Sequence, residues 1–182
     1  MEKTKQCKLT IGIPIYNGEK NLREKINSIL SQDFDDFELI VSDNGSTDST
    51  KKICEEFLIK DKRIRFFSHE KNLGANWNFN FILNKANGKY FMWTASDDKI
   101  LPGFYEKNIE VLEKNSNIVC SASQVKYFGH NRDYWAKRAI HGPFKGLKEK
   151  MVKRFQNLQN YSTSGTFESK FRYYLKLRGH HH

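Results

Sequence analysis

The 182-residue sequence has few cysteines and no long apolar segment. Cys7, Cys54 and Cys120 are odd in number, widely spaced and without a Cys-x-x-Cys pair, so we expect reduced thiols in a cytoplasmic protein and no metal site built on them. No run of eighteen apolar residues occurs, so we expect no membrane-spanning helix. The apolar run Leu9–Ile15 is too short for a signal peptide.

The sequence also lacks the common phosphate-binding motifs. It contains neither G-x-G-x-x-G nor G-x-x-x-x-G-K-[ST], which argues against a dinucleotide fingerprint and a P-loop. His69, His130 and His141 are scattered and are interpreted as surface or packing residues. Residues 179–182 (Gly-His-His-His) are typical of a purification-tag remnant and are left out of the fold.

Positive charge is abundant, but it is concentrated in one part of the chain. Residues 1–130 contain 19 lysines and arginines against 18 acidic residues, whereas residues 131–182 contain 12 against 3. The second part therefore has a net charge of +9, which is typical either of a solvated basic surface or of a segment that contacts anionic membranes. No nucleic-acid-binding module accompanies this charge, so we expect no nucleic-acid partner.

Apolar runs alternate with segments of helical apolar spacing through the first 128 residues. This alternation predicts βαβ units and an α/β fold with a mostly parallel sheet and flanking helices. The predicted helices are Glu19–Ser31, one after Ser46–Thr50, one after Gly74 and one from Pro102. The predicted strands are Leu9–Ile15, Phe37–Val41, Ile64–Phe67, Tyr90–Thr94 and Ile118–Val125.

The pattern weakens after residue 128, and we place a domain edge near Gly129. The predicted units are a domain over 1–129, a basic helical or loop segment over 130–178, and the tag remnant over 179–182. Two amphipathic stripes predict helices within the basic segment. They are formed by Leu147, Met151, Phe155 and Leu158, and by Phe167, Phe171, Tyr174 and Leu175.

Polar residues directly follow three of the predicted strands, as Tyr16-Asn17-Gly18, Asp43–Asp48 and Ser96-Asp97-Asp98. In an open parallel sheet, ligands bind at the carboxyl ends of the strands, so these residues are expected at one shared edge. Asp43 there is equally compatible with turn chemistry and with accepting hydrogen bonds from a base or ribose. Tyr16 could stack on a nucleobase or simply cover the sheet edge.

The adjacent carboxylates of Asp97 and Asp98 indicate a divalent cation. Neighbouring like charges repel each other, and a hard cation with oxygen ligands removes that repulsion. Mg²⁺ in particular combines one or two carboxylates with substrate phosphates. The alternative is an N-cap pair for the helix that begins at Pro102, although the two aspartates lie several residues before it.

Four ordered motifs within about residues 8–128 resemble those of family 2 glycosyltransferases of the GT-A fold. The motifs are Ile13–Asn17, Leu39–Asp48, Asn72-Leu73-Gly74 and Gly88–Trp93 followed by Asp97-Asp98. The resemblance implies a GT-A sheet and an enzyme that moves a sugar from a nucleotide donor, with uracil as the favoured base. It also implies a carbohydrate or lipid-linked acceptor and a role in cell-surface polysaccharide or glycan synthesis.

The resemblance also assigns candidate site residues. It implies that Pro14, Tyr16 and Asp43 line the base pocket, that Asp97 contacts ribose or metal, and that Asp98 or Asp97 binds Mn²⁺ or Mg²⁺. The first aspartate of the family's usual Asp-x-Asp signature is Ala95 here, so the cation depends on Asp97 and Asp98. Further candidate donor contacts from the same motifs are Asn17, Asn44, Asn72 and Gly74.

The downstream half departs from the family. Inverting members use a carboxylate to deprotonate the acceptor hydroxyl, and general-base catalysis needs such a group within hydrogen-bond reach. Beyond Gly129 the candidates are Asp133, Glu149 and Glu168, and none lies in a known motif. Two hypotheses follow: a metal-dependent, inverting glycosyltransferase, or an inactive nucleotide-binding scaffold recruited to the inner face of a membrane by its basic segment.

Overall fold

A computed structural model describes residues 6–96, 100–115, 120–121, 126–127, 134–135 and 174–176. Within these ranges strands and helices alternate from the first strand to the fourth helix. The elements are β1 (Leu9–Ile15), α1 (Glu19–Leu30), β2 (Phe37–Asp43), α2 (Thr50–Lys60), β3 (Ile64–Ser68), α3 (Ala75–Lys85), β4 (Tyr90–Trp93), α4 (Phe104–Lys114), β5 (Cys120–Ser121), β6 (Lys126–Tyr127), β7 (Tyr134–Trp135) and β8 (Tyr174–Lys176).

The main sheet has six strands in the order β3-β2-β1-β4-β8-β5. The first four strands in this order are mutually parallel, while β8 pairs antiparallel with both β4 and β5. The chain proceeds outward from β1 to β3 and then returns to the other side of β1 for β4. This reversal creates a topological switch point between β1 and β4, where ligands of open α/β sheets bind.

The sheet is covered on both faces. Alternate residues of β1, including Ile11 and Ile13, pack with α1, α2 and α4 in the larger apolar core. On the opposite face, Ile82 of α3 packs with Ile40 and Phe91. Because both faces are buried, the strands are almost continuously apolar, as expected for parallel strands.

At residues 174–176, which the structure describes, the predicted helix is wrong. Helical spacing favoured a helix that included Tyr174 and Leu175, but these residues form strand β8. Leu175 pairs with Phe91 of β4 and with Cys120 of β5, so the strand is specified by partners distant in sequence. Only Cys120 and Ser121 of the strand predicted over Ile118–Val125 are described, and α4 begins at Phe104 rather than Pro102.

Candidate functional site

The loops that follow β1, β2 and β3 meet at the carboxyl edge of the sheet. The backbone N–H of Asn44 donates to the carbonyl oxygen of Ile15 at 2.9 Å, which joins the β2 loop to the end of β1. The N–H of Leu73 donates to Asn44 Oδ1 at 2.9 Å, which joins the β3 loop to the β2 loop. Two of the three motifs predicted at one edge, those after β1 and β2, are therefore joined with the loop after β3 into one connected surface.

Asp43 is the last residue of β2 and is almost completely buried, with 1% of its surface exposed. Its Oδ1 accepts a hydrogen bond from the Ser46 N–H at 3.0 Å, and its Oδ2 lies 3.5 Å from Ser68 Oγ. The Asp43 carbonyl oxygen accepts from the His69 N–H at 3.0 Å. The turn chemistry anticipated for Asp43 is present, and its contact with a nucleotide stays a prediction.

Asn44 holds the segment that contains Asn72 and Gly74. Its Nδ2 donates to Asn72 Oδ1 at 2.9 Å and to the Gly74 carbonyl oxygen at 3.1 Å. Gly45 beside it has a φ of +75°, and a Cβ added there would lie 2.6 Å from the backbone carbon of Lys71. Only glycine combines this left-handed conformation with so close an approach of two backbones.

Three candidate residues from the first motif lie at the end of β1 or directly after it. Pro14 is half-buried within the strand, and Tyr16 is 48% exposed, so its ring is accessible for stacking. Asn17 has a φ of +52°, and its Oδ1 accepts from the Thr47 N–H at 2.9 Å. Its own N–H donates to Ser46 Oγ at 2.8 Å, so Asn17 connects the β1 and β2 loops.

The amino ends of α1 and α2 are capped by protein carboxylates. Asp48 Oδ2 accepts from the Glu19 N–H at 3.0 Å, and its Oδ1 accepts from the Thr50 N–H at 3.0 Å. Glu19 Oε2 in turn accepts from the Ser49 N–H at 2.9 Å. Slight burial opposes ionisation of Asp48, but hydrogen bonds from the Thr50 side chain and from backbone N–H groups hold its pKa below the usual range.

A buried polar group behind Asp43 was not predicted. Ser42 Oγ lies 3.0 Å from His69 Nε2 and 2.5 Å from Asn78 Oδ1, and Asn78 is 2% exposed. Burial lowers the pKa of the His69 ring, while the negative charge of Asp43 works in the opposite direction. The only sequence signal for Asn78 is an amide at a core-facing position of an amphipathic helix, four residues before Ile82.

The proposed metal ligands Asp97 and Asp98 lie outside the described residues, as do Asp133, Glu149 and Glu168. The structure does describe the residues just before the aspartate pair. A Cβ added to Gly18 would lie 3.8 Å from Ser96 Oγ, so the loop after β4 approaches the start of α1. In the described part of the chain, no three His, Cys, Asp or Glu side chains group in a way that could hold a metal ion.

A helix of sufficient length and apolarity to cross a membrane is not found among the described residues.

The chain has curated relatives among bacterial glycosyltransferases. An uncharacterised glycosyltransferase from Haemophilus influenzae is 39% identical over 111 residues, which are 61% of this chain and 34% of that protein. A Campylobacter jejuni protein named GalNAc(5)-diNAcBac-PP-undecaprenol beta-1,3-glucosyltransferase is 37% identical over 97 residues, which are 53% of this chain and 31% of that protein. The chain therefore spans about a third of the length of each of these two relatives.

The fold is also found in solved structures. S. aureus TarS 1-349 in complex with UDP-GlcNAc is similar over 74% of this chain and 37% of that chain, with a TM-score of 0.59 and 28% sequence identity. The α/β architecture described above is accordingly the GT-A fold that the motifs predicted. The profile of glycosyl transferase family 2 matches residues 10–174, from β1 into β8. The chain belongs to glycosyl transferase family 2.

Proposed function

We propose that this chain binds a nucleoside-diphosphate sugar and supplies the donor site of a glycosyltransferase. The acceptor is a carbohydrate or a lipid-linked glycan, and the reaction serves glycan or polysaccharide synthesis. The supporting observation is that the loops after β1, β2 and β3 form one hydrogen-bonded surface beside the switch point of the sheet. Family membership and the UDP-GlcNAc bound to S. aureus TarS support a uridine-based donor.

The capped helices limit where a diphosphate can bind. In dinucleotide-binding folds the pyrophosphate occupies a helix N-terminus, where free N–H groups and the helix dipole favour negative charge. Here the carboxylates of Asp48 and Glu19 already accept hydrogen bonds from the N–H groups of Glu19 at the start of α1 and of Ser49 and Thr50 at the start of α2. A diphosphate placed at either helix would meet like charge, so its own charge must be neutralised by other groups.

A divalent cation held by Asp97 and Asp98 meets this requirement. Two carboxylates supply the oxygen ligands that Mn²⁺ and Mg²⁺ prefer, and substrate phosphates complete such sites. The approach of Ser96 to Gly18 brings the segment that leads to these aspartates to the same edge as the other motifs. When bound, the ion would offset the negative charge that develops on the diphosphate as the sugar leaves.

The base of the donor is assigned to the surface formed by β1 and β2. The exposed ring of Tyr16 offers a stacking face, and Asp43 offers a carboxylate for N–H groups of the base. Asn17, Asn44, Asn72 and Gly74 keep these loops in register through the hydrogen bonds described above. Pro14 is the penultimate residue of β1, and Tyr16 directly follows that strand.

Donor binding is tested by calorimetry and by thermal shift with UDP, UDP-sugars and GDP, each with and without Mn²⁺. We expect stabilisation that increases with ligand concentration for the true donor, because binding to the folded state raises its stability. Asp98→Ala should abolish the metal-dependent part of UDP affinity. Asp33→Ala is the matched control, because Asp33 is exposed in the connection before β2, at the opposite edge of the sheet. Unchanged affinity of Asp98→Ala for UDP with Mn²⁺ would reject the metal assignment.

We propose transfer with inversion, by likeness to the inverting members of the family, and such a reaction requires a general base for the acceptor hydroxyl. Asp133, Glu149 and Glu168 are the candidates on this chain, and each is replaced in turn by its amide. The base variant should lose sugar transfer while it retains the affinity for UDP, because a base acts in the chemical step and not on the nucleotide. Wild-type activity in all three variants would exclude these three residues as the base.

A further inference from the structure

Asn78 of α3 is buried, and both polar atoms of its amide bind the same residue of β2. Its Nδ2 donates to the Ser42 carbonyl oxygen at 2.9 Å, and its Oδ1 accepts from Ser42 Oγ at 2.5 Å. The amide orientation is fixed because a carbonyl oxygen can only accept. A helix on one face of the sheet is thereby joined to the residue that directly precedes Asp43.

The single proton of the Ser42 hydroxyl also fixes the role of His69. Since that proton is donated to Asn78 Oδ1, the His69 Nε2 at 3.0 Å must donate to Ser42 Oγ and therefore carries a proton. The backbone N–H of His69 donates to the Asp43 carbonyl oxygen at 3.0 Å. The ring packs nearly at right angles against the stacked rings of Trp77 and Phe81, with its centroid 4.7 Å from each.

This arrangement is not what core packing alone would produce. Asparagine has low helix propensity, and a buried amide stabilises the fold no better than a well-packed aliphatic side chain. The polar atoms do, however, define one position for the strand end, because the two hydrogen bonds between Asn78 and Ser42 each have a fixed direction. Precise placement is what a ligand-binding carboxylate such as Asp43 requires.

We propose that Asn78 is a positioning residue for the nucleotide base: acting through Ser42 and His69, it sets the carboxyl end of β2 and thereby the placement of Asp43. This inference rests on the proposed donor function. Asn78 itself contacts neither the ligand nor the metal. Its effect should therefore concern the base and be independent of the diphosphate and the cation.

The test compares Ser42→Ala, Asn78→Ala and the double variant by calorimetry with UDP and with UMP, well below the melting temperature. Each single variant should bind UDP about tenfold more weakly, which corresponds to the loss of one well-placed hydrogen bond. The factor should be the same for UMP and should not depend on Mn²⁺. The double variant should lose no more than either single variant, because the residues act as a unit.

Asn84→Ala is the control, since Asn84 is exposed on the same helix and carries the same chemical change. A variant that is merely less stable has a lower melting temperature but unchanged affinity while it is folded. If Asn78→Ala does not fold, Ser42→Ala decides the question alone. Wild-type affinity of the folded variants would overturn the positioning role and leave the donor site intact, whereas a wild-type chain that binds no UDP would overturn both.

Discussion

Glu38 in β2 connects three strands near the amino edge of the sheet, away from the proposed site. Its Oε1 accepts hydrogen bonds from Thr10 Oγ1 and from the Asn87 N–H, both at 2.6 Å. Its Oε2 lies 2.7 Å from Arg65 Nη1, and its side chain is 12% exposed. Replacing Glu38 with alanine removes all three contacts at once.

The cost of Glu38→Ala is dominated by one buried group. The Thr10 hydroxyl is fully buried, and leaving it without an acceptor costs about 2 kcal/mol. Asn87 is exposed, so its N–H can bind water, and the Arg65 guanidinium is 40% exposed, which limits its pair with Glu38 to about 1 kcal/mol. We therefore expect a loss of about 3 kcal/mol and a melting temperature lower by about 6–12 °C.

Urea unfolding and calorimetry measure this loss, with Glu56→Ala as the matched control. Glu56 forms an exposed pair with Arg23 at 2.8 Å, so the same substitution there should hardly change the unfolding midpoint. Glu38→Gln should lie between wild type and Glu38→Ala, because its amide oxygen still accepts from Thr10. A loss under about 1 kcal/mol for Glu38→Ala, or one equal to that of Glu56→Ala, would refute this account.

Three further predictions concern the loops and the basic segment. The pKa of Asp48 is depressed in the folded state, so its ionised form stabilises the fold fully above the unfolded-state pKa of about 3.9 and this stabilisation is lost as the pH falls through the lower folded pKa. Asp48→Asn should therefore reduce the fall in the free energy of unfolding at acid pH. An unchanged fall would contradict this. Gly45→Ala should destabilise more than Gly74→Ala, because both glycines have positive φ but only Gly45 faces a backbone within 3 Å; equal urea midpoints would be inconsistent with the close approach. The +9 charge of residues 131–182 should bind the chain to anionic vesicles at low salt and release it as salt increases; equal sedimentation with neutral vesicles would remove the membrane contact.

The elements from β1 to β4 could be predicted from sequence because each carries its own local signal. β1 matches its predicted bounds, and β2 and β3 extend theirs by one or two residues. The signal fails where the partner is remote. The three residues of β8 form a strand because they pair with β4 and β5. The apolar spacing within the segment gives no information about those partners.

In the candidate site, too, some residues are predicted by the local sequence and others only by packing between distant segments. The loops after β1 and β2 were predicted at one edge because parallel strands end together, and the hydrogen bonds between Asn17, Asn44 and their neighbours confirm this placement. Asn78 could not be singled out in the same way, because α3 also contains Asn76, Asn80 and Asn84. Only the packing of α3 on β2 distinguishes the buried amide from those on the outer side.

The two edges of the sheet therefore have different electrostatic requirements. At the amino edge the carboxylate of Glu38 is satisfied by two hydrogen-bond donors and a guanidinium, so its charge is balanced within the fold. At the carboxyl edge Asp48 and Glu19 accept hydrogen bonds from N–H groups at the starts of α1 and α2, and their negative charge disfavours an anion there. An anionic donor is then favoured at this edge only when a cation accompanies it. Because the anionic donor needs a cation at this edge, we expect Asp98→Ala to reduce UDP affinity only when Mn²⁺ is present. Uridine, which has no phosphate, should bind equally well with and without the ion.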